Sequence, residues 1–208
     1  MSQAWPPADR PSAAEVEARK VIVTAALGGD LAPARSAVSH ASDRVRVSAI
    51  KALADGGELG DATVADAAAD PSPRVRRAVA MAGATDLRVS LEALLHDEDS
   101  NVVEPACWAA GERAEAGVEL VPLLVGIATA HEDGLCREAA VAALGAIGHP
   151  DALPAILAAT KDRATVRRRA VLALAPFEGP EVDAALARAM EDRDWQVRQA
   201  AEDLLPPG

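Results

Sequence analysis

Histidine and cysteine are the side chains of this sequence best suited to chemistry, because they bind transition metals and act as bases or nucleophiles. The histidines are His40, His96, His131 and His149, and the cysteines are Cys107 and Cys136. No two histidines have the i, i+4 spacing that places two metal ligands on one helix face. The cysteines are too far apart for a Cys-x-x-Cys motif. We therefore expect no catalytic residue, no metal site, no cofactor and no enzyme activity.

The glycines indicate helix ends and neither a phosphate-binding loop nor a nucleophile elbow, because those at 28, 29, 56, 57 and 148 fall where helices should stop. Both cysteines fall inside predicted helices. Residues 1–11 do not resemble a secretory signal, so the cysteines are expected to pack as reduced thiols. There is no apolar run of about 18 residues, so we expect no membrane span and a cytoplasmic location.

A sequence motif that occurs in five clear copies and one incomplete copy indicates the architecture. It consists of an aliphatic residue or Cys, then Arg, then Ala three or four residues later. The clear copies are Val45-Arg46, Val75-Arg76, Cys136-Arg137, Val166-Arg167 and Val197-Arg198. A sixth copy, Val102-Val103, lacks the Arg. The first residues of the six copies, which we call anchors, are 30, 27, 34, 30 and 31 residues apart. A period of this size predicts a stack of supersecondary units.

Each unit is predicted to be a helix pair. In residues 148–177, an apolar helical pattern is followed by a break at 161–163 and a second apolar stripe from Val166. Alanine supplies 50 of the 208 residues, which favours helices that approach closely. The predicted pairs are 30–40 with 43–55, 60–69 with 73–84, 86–96 with 100–115, 118–131 with 134–147, 150–161 with 164–175, and 180–191 with 194–205.

The expected fold is therefore an all-α superhelix of about six helix pairs. A capping helix over 12–28 should precede them and open with a capping box at Ser12. The predicted domain organisation is a flexible N-terminal arm over residues 1–11, a single repeat domain over 12–205 and a tail over 206–208. We expect a monomer.

The unit resembles a HEAT repeat, in the short bacterial form called PBS-lyase HEAT-like. The likeness rests on a turn with Asp followed by Val-Arg-x-x-Ala-x-x-Ala-Leu-Gly, matched best by residues 134–177 and more loosely over about 30–205. It implies an α solenoid whose second helices line a concave groove. The dipeptide His131-Glu132 resembles those through which deoxyhypusine hydroxylase, a HEAT-type enzyme, binds iron. That enzyme needs several such pairs, so iron chemistry is not expected here.

The net charge of −11 is unevenly distributed. Windows from three residues before each anchor to nine after it hold twelve Lys or Arg and eight Asp or Glu, a balance of +4 that leaves −15 for the remainder. The predicted groove is thus less acidic than the exterior. This distribution argues against binding to nucleic acid or to an anionic membrane.

The resemblance implies an Asp–Arg ladder between repeats, built from Arg46, Arg76, Arg137, Arg167 and Arg198. Its candidate acidic partners lie just ahead of the second helices and are Asp43, Asp70, Asp99, Asp133, Asp162 and Asp194. Contact candidates are residues that the repeat pattern does not require, which are Arg77, Trp108, Arg168 and Arg169. A solvated arginine face and a space-filling Trp108 remain open alternatives. Trp195 is expected to pack at an inter-helix turn.

These features favour a non-catalytic protein-interaction scaffold whose groove binds an acidic or amphipathic segment of a protein partner. Two other functions remain open. The first is nucleic-acid binding of the kind found in HEAT-like alkylpurine glycosylases. The second, implied by the PBS-lyase resemblance, is an accessory subunit of a bilin lyase-type system.

Overall fold

A computed structural model of the chain describes residues 10–204, and this part is all-α, without strands. The predicted fold class is confirmed, with one N-terminal helix followed by six helix pairs. Residues 1–9 of the predicted arm, Leu205 and the predicted tail lie outside the described residues. The helices are α1 Ala13–Leu27, α2 Ala32–Ala37, α3 Asp43–Asp55, α4 Asp61–Ala68, α5 Pro73–Ala82, α6 Leu91–Leu95, α7 Ser100–Glu112, α8 Val121–Ala130, α9 Gly134–Ile147, α10 Leu153–Ala159, α11 Ala164–Ala173, α12 Pro180–Met190 and α13 Trp195–Glu202. Short 3-10 segments at Ala114–Leu120 and Pro150–Ala152 precede α8 and α10.

The chain divides between Val79 and Ala80, inside α5, into two compact units. In the first unit, α1 packs against α2 and α3. In the second unit, α6, α8, α10 and α12 contact one another in order, and α7, α9, α11 and α13 do the same. Each helix of the first set also packs on its partner in the second set. We call α7, α9, α11 and α13 the second-helix layer.

The capping box predicted at the start of α1 is confirmed. The Ser12 hydroxyl accepts the backbone N–H of Glu15 at 3.2 Å, and the Ser12 N–H donates to the Glu15 carboxylate at 2.7 Å. The Ser42 hydroxyl also donates to Glu15, at 2.5 Å, which ties α1 to the start of α3. The bond from Ser42, followed by those from Ser12, lowers the pKa of Glu15 to about 2.

The prediction of a helix over 86–96 was too long, because α6 begins only at Leu91. Residues ahead of it form a turn in which the Asp86 carboxylate accepts the backbone N–H of Arg88 at 3.0 Å. The Asp86 side chain also bonds the Arg88 guanidinium at 2.7 and 2.9 Å. A short polar side chain that satisfies nearby N–H groups competes with helix formation.

Arg113, which follows the last residue of α7, holds this turn in place. Its guanidinium donates to three backbone carbonyls, those of Gly83, Asp86 and Val89, at 2.6, 3.2 and 2.6 Å. Burial lowers the pKa of Arg113, and the nearby Asp86 carboxylate acts in the opposite direction. These bonds supply donors to carbonyls of the turn that are not part of a helix.

Glycine and alanine allow close approach within the second-helix layer. A Cβ built on Gly145 of α9 would lie 2.6 Å from the Cβ and 2.7 Å from the Cα of Ala173 in α11. A Cβ on Gly111 of α7 would lie 3.0 Å from the Cα of Ala143 in α9. The helices therefore contact each other through backbone, and a larger residue at either glycine would push them apart.

Three of the arginines that follow anchors form two-pronged ion pairs with carboxylates of the next helix pair. The pairs are Arg46–Asp70, Arg137–Asp162 and Arg167–Asp192, with N–O distances of 2.7–2.9 Å. The hydrogen bonds of the guanidinium lower the pKa of Asp162 and Asp192, with burial acting in the opposite direction. At Asp70, burial is the largest influence and raises the pKa, but the bonds from Arg46 and from the Ser72 N–H outweigh it.

All five anchor arginines also donate to a carbonyl in the turn before their own helix. The acceptors are the carbonyls of His40 for Arg46, Asp70 for Arg76, His131 for Arg137, Asp162 for Arg167 and Asp192 for Arg198, at 2.7–2.9 Å. An arginine with both kinds of bond connects its own helix, its own turn and the next turn. This use of several donors in one plane is specific to arginine.

The carboxylate that pairs with Arg167 is Asp192, which was not among the candidate partners, whereas the candidate Asp194 has another role. Asp194 caps α13 by accepting the N–H of Gln196 at 2.9 Å. Asp99 and Asp133 are likewise N-caps, of α7 and α9. A carboxylate at an N-cap satisfies an N–H that has no partner within the helix, so these residues have a different structural role.

Histidine stands in place of aspartate at two of these turns. The ring Nδ1 of His40 accepts the N–H of Ser42, and that of His131 accepts the N–H of Asp133, each at 3.0 Å. Asp70 makes the same turn bond to Ser72 at 2.8 Å. No helix pair precedes His40, and the pair before His131 carries Val103 where the others carry Arg. Histidine thus makes the hydrogen bond of the turn at the two positions where the preceding helix pair provides no anchor arginine to pair with. The ladder is therefore interrupted between α7 and α9.

We expect Gly145→Ala and Gly126→Ala to change stability in opposite directions. Gly126 lies in α8, and an added Cβ there meets no atom within 4 Å. Because alanine is the better helix former, Gly126→Ala should raise the free energy of unfolding by about 0.5–1 kcal/mol. Gly145→Ala should lower it by about 1–3 kcal/mol, because its methyl group would overlap α11. Urea unfolding followed by circular dichroism measures both, and equal effects would contradict the close backbone contact.

We expect Arg137→Ala to destabilise the protein more than Arg168→Ala. Loss of Arg137 leaves the partly buried Asp162 carboxylate without its partner, which should cost about 1–3 kcal/mol. Arg168 is exposed, and its loss should cost less than about 0.5 kcal/mol. Melting temperatures of the two variants measure the difference. Equal values would show that the anchor arginine does not stabilise the repeat.

The ladder carboxylates predict a loss of stability in acid. Their folded pKa values lie below the ordinary value of 3.8, so their contribution is complete above that pH and declines as the pH falls through the folded values. The melting temperature should therefore begin to fall as the pH drops below about 4 and continue to fall as the pH passes through the folded pKa values. Asp162→Asn should be less stable at neutral pH but show a smaller fall. Asp66→Asn, on an exposed face of α4, is the control and should keep the full fall.

Candidate protein-interaction groove

A groove of about 440 Å³ lies on the second-helix layer, lined by α7, α9 and one residue of α11. Gly111 and Ala143, where α7 and α9 approach each other, lie among its lining residues. The apolar side chains are Trp108, Leu135, Ala139, Ala142 and Ala146, and the charged side chains are Glu104, Glu112, Glu138 and Arg169. We call this site the Trp108 groove.

Trp108 is the exposed member of a buried stretch of α7. Its side chain is 45% exposed, whereas the adjacent residues Cys107 and Ala109 are fully buried. Leu135, at the start of α9, is 60% exposed. On α9 the residues along the groove are alanines at helical spacing, so methyl groups leave depth beside the indole. Trp108 therefore lies in a groove and not in the core.

Carboxylates predominate among the charged groups of the groove. Three glutamates line it together with a single guanidinium, that of Arg169. The Arg169 guanidinium lies 3.7 Å from the carboxylate of Glu138, and the two side chains are 40% and 22% exposed. The Trp108 groove is thus a partly apolar site with an excess of negative charge.

The structure separates the contact residues that the sequence grouped together. Trp108 and Arg169 line the same groove. Arg168, one residue earlier in α11, lines a smaller depression of about 90 Å³ beside Trp195. Arg77 belongs to the first of the two units, on α5. The four residues proposed as one site therefore do not all line one groove.

Sequence reasoning missed Leu135, Glu112 and Glu138. A signal for Leu135 was present, because it precedes its anchor by one residue, a position that is polar in every other repeat. The corresponding residues are Arg44, Arg74, Asn101, Thr165 and Gln196. The expectation that Trp195 packs at a turn was wrong, because it is 65% exposed at the first position of α13.

The two cysteines are buried, free thiols. Burial raises the pKa of Cys107, and proximity to Cys136 adds to this effect. Burial also raises the pKa of Cys136, whose Sγ lies 3.5 Å from the carbonyl oxygen of Ser100. A buried thiol with a raised pKa carries little of the reactive thiolate form.

Among the side chains that the structure describes, which are those of residues 10–113 and 116–204, no group of three or more His, Cys, Asp or Glu is arranged to hold a metal ion. Within the same range, no helix has the length and apolar character needed to cross a membrane.

Known structures with similar folds are helical repeat proteins. YibA of Escherichia coli matches with a TM-score of 0.61 and 15% identity, over 92% of this chain and 74% of its own. An engineered protein matches with a TM-score of 0.65 and 21% identity, over 85% and 97%. A designed armadillo repeat protein, solved in complex with the peptide (KR)4, matches with a TM-score of 0.51 and 18% identity, over 92% and 90%. At these identities the likeness concerns the fold alone.

A comparison with curated protein sequences found no match. The family model for HEAT repeats, in contrast, matches the chain over residues 87–175 and again over 121–205, which together span more than half of its length. The helix pairs, the anchor arginines and this match agree with one another. The chain belongs to the HEAT repeat family.

Proposed function

We propose that this HEAT repeat chain is a non-catalytic scaffold that binds a segment of a protein partner on its second-helix layer. The Trp108 groove is the main contact. The observation that carries the proposal is that Trp108 and Leu135, which line the same groove, are 45% and 60% exposed respectively. When a partner covers large apolar side chains, their surface is removed from water, which favours binding. Tryptophan is also enriched among the residues that dominate binding free energies.

The repeat architecture suits this role. Stacked helix pairs present an extended surface made of successive helices, on which a partner segment can contact several repeats. Arg169 lies at the charged side of the Trp108 groove, and Arg168 lines the adjacent depression on α11 and α13. Arg168 and Arg169 are proposed as polar contacts that accompany the apolar anchor, and Arg77, on α5 of the first unit, is proposed as a separate contact.

Of the two segment chemistries considered, acidic and amphipathic, the lining of the Trp108 groove favours the amphipathic one. Three carboxylates would repel an acidic segment as it enters. The same charges, together with the net charge of −11, disfavour a nucleic acid as the partner. The buried thiols need no oxidising compartment, so the cytoplasm is the proposed location, and the proposed working form is a monomer.

Trp108→Ala should weaken capture of the partner, and Leu87→Ala, at an exposed apolar residue outside both depressions, is the control. Both side chains are exposed, so neither substitution should unfold the chain. The full chain and each variant would be immobilised and incubated with lysate of the source organism, with bound proteins quantified by mass spectrometry. We expect Trp108→Ala to reduce the amount of the specific partner by about tenfold or more, as for a binding hot spot.

The control should retain the partner to within about twofold, because small surface effects are the norm away from a hot spot. Circular dichroism of each variant establishes that the helices remain. If folded Trp108→Ala captures the same proteins in the same amounts as the unchanged chain, the Trp108 groove is not the binding site.

A further inference from the structure

We infer that the Trp108 groove recognises a segment in which an arginine or lysine lies beside an aliphatic or aromatic residue. This inference rests on the proposed function and adds the chemistry of the partner. It follows from how apolar and acidic side chains alternate along α7 and α9.

On each of these helices an exposed apolar side chain has a carboxylate one helical turn away. Glu112 follows Trp108 by four residues on α7, and Glu138 follows Leu135 by three residues on α9. Residues three or four apart lie on the same helix face. All four side chains line the groove, so apolar and negative surfaces lie next to each other on both of its sides.

The single positive charge of the groove does not balance this arrangement. Arg169 lies 3.7 Å from Glu138, so its guanidinium is already close to one of the carboxylates. Glu112 is the last residue of α7, one helical turn after Trp108, and its side chain is exposed. A cation that enters beside the indole would meet a carboxylate and an aromatic ring together.

Tryptophan is the best aromatic partner for a cation, and a guanidinium can stack on its face while it donates to a carboxylate. The aliphatic or aromatic residue of the segment would fill the space above Ala139, Ala142 and Leu135. A cation attached to an apolar side chain on the neighbouring residue therefore matches both surfaces. An acidic segment would match neither the carboxylates nor the indole face.

Three synthetic peptides test this chemistry directly. They share one Leu and one Trp in a chain of about ten residues, a length typical of segments held in a groove, and differ only in flanking residues that are Arg, Ser or Glu. Fluorescence anisotropy of labelled peptides with the full-length protein measures binding. We expect the Arg peptide to bind about tenfold or more tightly than the Ser peptide, with a dependence on NaCl that reflects screened ion pairs.

Substitution of the groove carboxylates tests whether they cause the preference for the Arg peptide. Glu112→Arg combined with Glu138→Gln should weaken the Arg peptide by about tenfold or more and strengthen the Glu peptide. Glu181→Arg, on an exposed part of α12 outside the Trp108 groove, is the matched control and should change neither. A merely unfolded variant would bind no peptide, so the gain for the Glu peptide distinguishes recognition from damage.

The inference is overturned if the Ser or Glu peptide binds the unchanged protein as tightly as the Arg peptide, or if no peptide binds at concentrations up to about 1 mM. These outcomes leave the proposed function to be decided separately, by partner capture with Trp108→Ala. Suppose that Trp108→Ala reduces partner capture but the three peptides bind the unchanged protein equally well. The Trp108 groove would then still be the binding site, and only its preference for cationic segments would be disproved.

Discussion

Close contact between the backbones of successive second helices is the constraint on which the rest of the structure depends. Gly145 faces Ala173, and Gly111 faces Ala143, at distances that leave no room for a larger side chain. A layer built this way gains dispersion contacts from many small groups, although each alanine buries little area by itself. It also leaves few bulky side chains between helices. A groove with an alanine wall is a direct consequence, because methyl groups cannot fill the surface between α7 and α9.

The arginine ladder works at the ends of the helices, where close backbone contact alone does not fix the turns. Each complete link joins a helix, its preceding turn and the following turn through one planar guanidinium. The link is missing after α7, where Val103 replaces the arginine and His131 replaces the acceptor carboxylate. Between α7 and α9 the contact of Gly111 with Ala143 remains. Arg113, just after α7, fixes the turn before α6. The Trp108 groove lies at this interrupted link.

That location offers a physical rationale for the proposed function. A repeat that has exchanged its ladder arginine for valine, and that carries an exposed tryptophan, departs from its neighbours in two ways at once. Exposed tryptophan has a cost in solubility and adds little to the core, so a binding role accounts for its presence better than packing does. The acidic side chains that line the same groove offer carboxylates with which a cationic group of the partner could pair.

The sequence by itself determined the features that depend on period and on neighbours along the chain. The helix pairs, the capping box at Ser12 and the position of the anchor arginines follow from spacings of a few residues, which local geometry translates directly into structure. Only the tertiary structure decided which carboxylate each arginine of the ladder pairs with and which arginine lines the same groove as Trp108. Asp192 and Asp194 are two residues apart in one turn, and Arg168 and Arg169 are adjacent on one helix. A single residue rotates a side chain by about 100° around a helix, so such choices depend on how the helices and turns are oriented after packing.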